Sequence, residues 1–290
     1  MKKRISLILG SGGARGLAHI GVIKALEQHN FEICSISGCS IGALIGGIYA
    51  AGKLPEFEKW ILEIDKYDIV SLLDLAWGNN GLVKGDKIIN TLKKMVGDIT
   101  IAELPISYTA VASDILNGKE VWLNSGSLFD AIRASISLPL FFTPIETNNR
   151  ILIDGGVLNP VPIAPTFNDD SDYKIAVNLG SEKATPPEPI EKVETHDDAS
   201  PISRFIDSLR FDKEEKEVNK LGAYEVADKA FDAMQSHLAA AKLAAYPPDV
   251  LVEISRNACG TLEFDKAAEM IALGYSTCIK ALKNNYLLIE

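Results

Sequence analysis

Residues 38–42 read Gly-Cys-Ser-Ile-Gly, which sets Ser40 between Gly38 and Gly42. A serine at a sharp strand-to-helix turn projects its hydroxyl clear of the sheet, and flanking glycines permit the bent backbone and leave room for a substrate. The helix that follows points its N-terminus at the site, which favours developing negative charge. These are the needs of a nucleophile in acyl transfer. The plainer alternative is a glycine-rich helix start capped by Ser40. A nucleophilic hydroxyl also needs a group to take its proton, and the four histidines are poorly placed for that. His19 reads as support for the loop before it, with a triad base as the alternative. His29 reads as a helix-end residue favoured by the dipole. His196 falls in an acidic loop, and His237 on a late, solvent-facing helix.

Two other stretches carry chemistry. "GSGGARG", residues 10–16, leaves a strand and opens a helix, so it presents several backbone N–H groups in a concave arrangement suited to a phosphate or an oxyanion. Gly10, Gly12 and Gly16 also fit a dinucleotide pattern, so a nucleotide site is an alternative. Against it, the next strand ends in serine rather than the acid that grips a ribose. Arg15 steadies the loop or an anionic substrate group, or is a surface arginine. "DGG", residues 154–156, ends a short apolar strand. Asp154 is either a turn former or a carboxylate delivered to the same edge as Ser40.

These pieces need elements to position them. The patterning predicts strands at 5–9, 33–37, 106–113, 120–124, 151–153 and 174–179 and within "PPDVLVEIS". Helices are predicted at 17–30, from Ser40 to about Ala51, and at 55–75, 86–95, 128–137 and 264–282, with two charged amphipathic helices between 202 and 243. "LNGK", residues 116–119, reads as a hairpin turn, and "SLPLFF", residues 137–142, as core or the wall of an acyl pocket. The alternation predicts an α/β fold: one domain over 1–290, a three-layer α/β/α sandwich with a mostly parallel central sheet. Residues 181–201 form a mobile, acidic, proline-rich loop in this reading, and 202–245 a helical segment that serves as packing, lid or interface.

Composition narrows the class. The chain has 290 residues, 47% of them hydrophobic, enough for a large core. A formal net charge of −10 argues against nucleic acid and against bulk attraction to anionic membranes. Cys34, Cys39, Cys259 and Cys278 form no C-x-x-C pair and suit free thiols in a reducing, cytoplasmic compartment. The apolar start is too short for a signal sequence. Residues 33–52 carry no charge and have the length of a membrane span, but their glycines and serines fit a strand, a turn and a buried helix better.

Taken together, "SGGARG", "GCSIG" and "DGG" resemble the patatin-like phospholipase family. That family pairs a glycine-rich oxyanion loop bearing Arg or Lys with Gly-x-Ser-x-Gly and then Asp-Gly-Gly or Asp-Gly-Ala. The likeness continues in "AHIGVIKALEQ", "RASISLPLFFTP", "DGGVLNPVP" and "FDKAAEMIALGY", and is nearest to small bacterial members of about this length. Ser11 stands where the family commonly has a leading glycine. The resemblance implies a patatin-like fold and a serine acyl hydrolase of lipid carboxylic esters (phospholipase, lysophospholipase or esterase). It implies a Ser-Asp dyad without histidine: Ser40 as nucleophile, Asp154 as base, and the amides of Gly12, Gly13 and Ala14 as oxyanion hole. Ser11, Arg15, Gly16, Gly38, Gly42, Gly155 and Gly156 would support them, with no metal and no cofactor. A carboxylate near its ordinary pKa of about 4 is ionised at neutral pH but is a weak base. General-base help then supplies about 10²–10⁴ in rate, and oxyanion donors must add about 10²–10³ each. A histidine-dependent esterase or thioesterase, and a non-catalytic lipid- or partner-binding regulator, are the rival readings. Lipid or another acyl ester is the expected partner; transient contact with a membrane surface and a homo-oligomer stay open.

Overall fold

The computed structural model describes residues 2–64, 83–147, 149–182 and 223–288. Its core is a sheet of eight strands among the described residues. They are β1 (Lys3–Leu9), β2 (Phe31–Cys39), β3 (Ser107–Asp114), β4 (Lys119–Leu123), β5 (Ile145–Thr147), β6 (Arg150–Asp154), β7 (Tyr173–Ser181) and β8 (Val250–Ser255). The order is β5-β6-β3-β2-β1-β7-β8, with β4 also paired to β3. Pairs β1–β2, β1–β7, β2–β3 and β7–β8 are parallel, and β4, β5 and β6 are antiparallel to their neighbours.

Both faces of β1 are covered, which is why Ile5–Leu9 is apolar apart from Ser6, whose buried hydroxyl donates to Asp169. Ile5, Leu7 and Leu9 face one core, and Ile8 faces another. Over the first face lie α1 (Ala18–Gln28), α2 (Ile41–Ala50), α3 (Leu54–Glu63), α4 (Asp86–Val96), α5 (Leu128–Ser135) and α7 (Ala267–Asn284). On the second face, Ile8, Val161, Ile163 and Ala176 pack against Ala239 of α6 (Ala223–Ala245). The result is a mostly parallel sheet flanked by helices, the expected three-layer arrangement.

Several boundaries differ from the sequence reading. The helix predicted at 55–75 runs Leu54–Glu63, and its remainder from 65 lies outside the described residues. Ser181, assigned to the acidic loop, is the last residue of β7, held by its Oγ donating to Glu253 at 3.0 Å. Residues 183–201 of that loop, including His196, and 202–222 of the helical segment lie outside the described residues. The described part of that segment is one helix, α6. Strand β5 was not foreseen: three residues between Pro144 and a turn carry too little pattern, and antiparallel pairing with β6 supplies the order. The uncharged stretch 33–52 is strand β2 plus helix α2, and among the described residues no helix is long and apolar enough to cross a membrane.

Candidate active site

Strand β3 brings the distant motifs together. Up to Val111 its edge pairs with β2, ending at the Cys39–Val111 pair; from Ala112 the antiparallel β6 takes over, beginning at the Ala112–Asp154 pair. Ser40 follows Cys39 directly, so nucleophile candidate and carboxylate candidate become neighbours across this handover. The Ser40 Oγ–H donates to Asp154 Oδ2.

Ser40 is the N-cap of α2 and is held at φ 56, ψ −125, a left-handed setting that side chains rarely adopt. Its amide donates to Ser135 Oγ at 2.9 Å, and that hydroxyl donates to the Val111 carbonyl at 2.6 Å. The turn is tight enough to exclude side chains on either side. A Cβ on Gly38 would stand 2.5 Å from the Gly42 carbonyl oxygen, and one on Gly42 would stand 2.1 Å from that of Leu9. Ser40 is 9% exposed.

Asp154 is fully buried. Its amide donates to the Ser137 carbonyl at 2.9 Å, and its Oδ1 accepts the Gly156 amide at 2.7 Å. Burial raises its pKa from 3.8 to about 6, against the opposing hydrogen bonds from Ser40 and Gly156. The expectation of an ordinary acid near 4 is therefore corrected, because desolvation outweighs the bonds that favour the anion. At neutral pH the group is still mostly ionised, and it is a stronger proton acceptor than a solvated aspartate. Gly155 lies beneath the Val111 carbonyl. Cys39, buried beside Asp154, has its thiol pKa pushed well up by desolvation first and by the Asp154 charge second, so it stays protonated.

The glycine loop packs beside this pair. Gly16 lies against the Ile41 side chain, and a Cβ on Gly156 would stand 2.7 Å from Ser11 Oγ and 3.0 Å from Asp154 Oδ1. The Ser11 amide donates to the Pro160 carbonyl at 2.8 Å, and its hydroxyl accepts from Gln235 Nε2 at 3.2 Å. Gly13 sits at φ 58, which needs glycine. Ala14 cannot serve as foreseen: its amide donates to the Thr261 carbonyl at 2.8 Å. The amides of Gly12 and Gly13 meet no acceptor among the described residues. Arg15 is neither on the surface nor free for substrate. It is 3% exposed, its Nε donating to the Gly12 carbonyl at 2.9 Å and its Nη1 to the Arg256 carbonyl at 2.6 Å, and it is paired with Asp232.

None of the described histidines, His19, His29 and His237, hydrogen-bonds the Ser40 hydroxyl. His19 is fully buried with Nε2 2.9 Å from the Gly10 carbonyl. A carbonyl only accepts, so Nε2 carries the proton and the ring supports the loop. Desolvation lowers its pKa to about 4 and keeps it neutral. His29 caps the end of α1 with Nδ1 2.8 Å from the Ala25 carbonyl, and His237 is exposed.

Sequence reasoning missed Ser135, Ser137, Thr261, Asp232 and Gln235. "RASIS" contained two of them, but not the roles. Arg133 of that stretch donates through Nη1 to Ser137 Oγ at 2.7 Å and through Nη2 to the Lys84 carbonyl at 2.6 Å. In "SLPLFF", Phe141 is buried, and Phe142 packs edge-on to it beneath Arg133.

The chain is similar in sequence to known proteins. The family described as patatin-like phospholipase matches residues 7–167. An uncharacterized NTE family protein of Mycobacterium tuberculosis is 37% identical over 97% of this chain and 91% of its own length. The neuropathy target esterase sws of Drosophila melanogaster is 31% identical over 62% of this chain but 13% of the fly protein. The lysophospholipase NTE1 of Eremothecium gossypii is 33% identical over 61% of this chain and 12% of its own. Among solved structures, VipD from Legionella pneumophila aligns with a TM-score of 0.48 at 13% identity, covering 98% of this chain and 67% of its own. The chain belongs to the patatin-like phospholipase family, whose members are lipid ester hydrolases.

Proposed function

We propose that the protein is a serine hydrolase of lipid carboxylic esters that works with a Ser40–Asp154 dyad. The observation that carries the reading is the hydrogen bond from Ser40 to a buried carboxylate at a strained strand-to-helix turn, with His19 committed elsewhere. Ser40 Oγ attacks the ester carbonyl carbon while its proton passes to Asp154. The oxyanion that forms lies at the Gly12 and Gly13 amides and the N-terminus of α2. Collapse breaks the carbon–oxygen bond to the alcohol, which leaves with the proton from Asp154, and the acyl group stays on Ser40. Water then gives a proton to Asp154 and attacks the acyl carbon. The acid departs and Ser40 recovers its proton.

A relative named as lysophospholipase and the family's description as phospholipase support single-chain or two-chain phospholipids as the substrate class. The test uses wild type beside Ser40→Ala on short-chain esters and on lysophospholipid, with a fluorophosphonate to label Ser40. We expect hydrolysis and labelling in wild type and neither in the variant. Full hydrolysis by folded Ser40→Ala would sink the reading. A wild type that neither hydrolyses nor labels would favour a binding role.

A further inference from the structure

We propose that Asp232 is a positioning residue for the glycine loop, acting through Arg15 on the amide of Gly13. This rests on the reading of Ser40 and the loop given above. Asp232 lies on α6, 217 residues beyond Arg15 in the chain. Its two carboxylate oxygens face two nitrogens of the guanidinium, Oδ1 to Nη2 at 2.8 Å and Oδ2 to Nη1 at 3.3 Å. The other contacts of Arg15, the carbonyls of Gly12 and Arg256, are neutral. Asp232 therefore supplies the anion that lets a cation rest 3% exposed under the loop.

What the cation does there follows from peptide geometry. In a trans peptide the carbonyl and the next N–H point to opposite sides of the chain. Arg15 Nε, by holding the Gly12 carbonyl, fixes the direction of the Gly13 N–H. No side chain flanks that peptide, so nothing in its own sequence restrains the rotation. Without Asp232 the guanidinium would be buried beside carbonyls alone and would turn out to water. The Gly12 carbonyl would lose its donor, and the amide its aim.

Helix α6 does not need Asp232 in order to dock. The side chain of Asp232 is 30% exposed, and Ala239, two turns on, anchors the helix in the apolar cluster with Ile8, Val161, Ile163 and Ala176. Between them, Gln235 on the same face donates to Ser11 Oγ, a second strut to the same loop. Gly156 makes room for it: a Cβ there would stand 2.1 Å from Gln235 Nε2. Asp232 and Gln235 in the middle of α6 thus bear on the loop while Ala239, further along, holds the helix to the sheet.

The experiment measures kcat and KM on a soluble short-chain ester, with the rate of fluorophosphonate labelling of Ser40. Asp232→Asn should lower kcat about tenfold to a hundredfold, with KM within about twofold and labelling slowed in parallel, since a misaimed donor loses part of an oxyanion contact. Asp232→Glu, which keeps the charge, should restore kcat to within about threefold of wild type. Arg15→Met replaces the buried cation with an apolar chain of similar length and leaves Asp232, whose side chain is 30% exposed, to be solvated by water. It should show the same fall as Asp232→Asn, and adding Asp232→Asn to it should lower kcat no further, because the two residues act as one unit. That comparison holds even if Asp232→Asn alone does not fold. Wild-type kcat in Asp232→Asn, a fall confined to KM, or a further fall in the Arg15→Met background would each overturn the inference. Where Ser40→Ala is dead, those results count against Asp232 alone; where Ser40→Ala is active, the site reading falls and takes this inference with it.

Discussion

Replacing Asp154 with asparagine should stabilise the protein at neutral pH relative to acid pH, by an amount the burial of the carboxyl sets. Asparagine has the same shape. Its Oδ1 can still accept from the Gly156 amide, and its Nδ2 can donate to Ser40. What it lacks is the charge. In wild type the folded pKa is raised from 3.8 to about 6, so as pH climbs the unfolded chain gives up its proton first. Stability is therefore lost between those two values and is flat above them. Each tenfold in proton affinity is worth about 1.4 kcal/mol, so the full cost at neutral pH is about 3 kcal/mol. The variant does not titrate here. The stability of Asp154→Asn minus that of wild type should thus rise by about 2–3 kcal/mol between about pH 4 and pH 7. Urea unfolding of both proteins at several pH values in that window measures it, and comparing each protein with itself across pH cancels any constant packing difference. The same variant should lose about 10²–10⁴ in kcat/KM as the base is removed. A stability difference that does not change with pH would refute the claim that the carboxylate is desolvated, and with it the argument for its added basicity.

The other predictions concern the same few residues. In wild type, kcat/KM should rise with pH through an apparent pKa of about 6, as Asp154 must be ionised to accept a proton; a pH-independent profile in that range would contradict the assignment. Ser135→Ala should cost about 1–3 kcal/mol in urea unfolding, because it leaves the buried Ser40 amide without its acceptor. His19→Gln should keep kcat within about tenfold, since the ring only supports the loop through the Gly10 carbonyl. A folded but inactive His19→Gln would restore the triad reading.

The parts that could be read from the chain are those whose signal is local. Gly38 and Gly42 announce a turn around Ser40, and Asp154 ends an apolar run followed by two glycines, so both candidates were legible within a few residues. Their meeting was one of two readings of Asp154 and was otherwise implied only by the family resemblance; local pattern does not give it. It depends on β3 changing partner between Val111 and Ala112, and the antiparallel direction of β6 leaves no mark on five residues. The strength of the base escaped for a similar reason: desolvation belongs to the fold, and an aspartate carries no sign of it in sequence. Ala14 was misjudged because its acceptor, Thr261, arrives from the far end of the chain. Asp232 was invisible for the same cause, one acid among many on a helix with no motif.

The change of partner along β3 has a consequence for how the molecule comes apart. The proposed attacking pair is held at the seam where β2 and β6 meet β3, within the sheet's own hydrogen bonding, a region expected to open late. The donors that would receive the negative oxygen answer to a peripheral helix fastened further along, at Ala239. Gentle loosening should therefore pass through a dormant form that retains its hydroxyl and carboxylate but has nothing aimed at the charge they create.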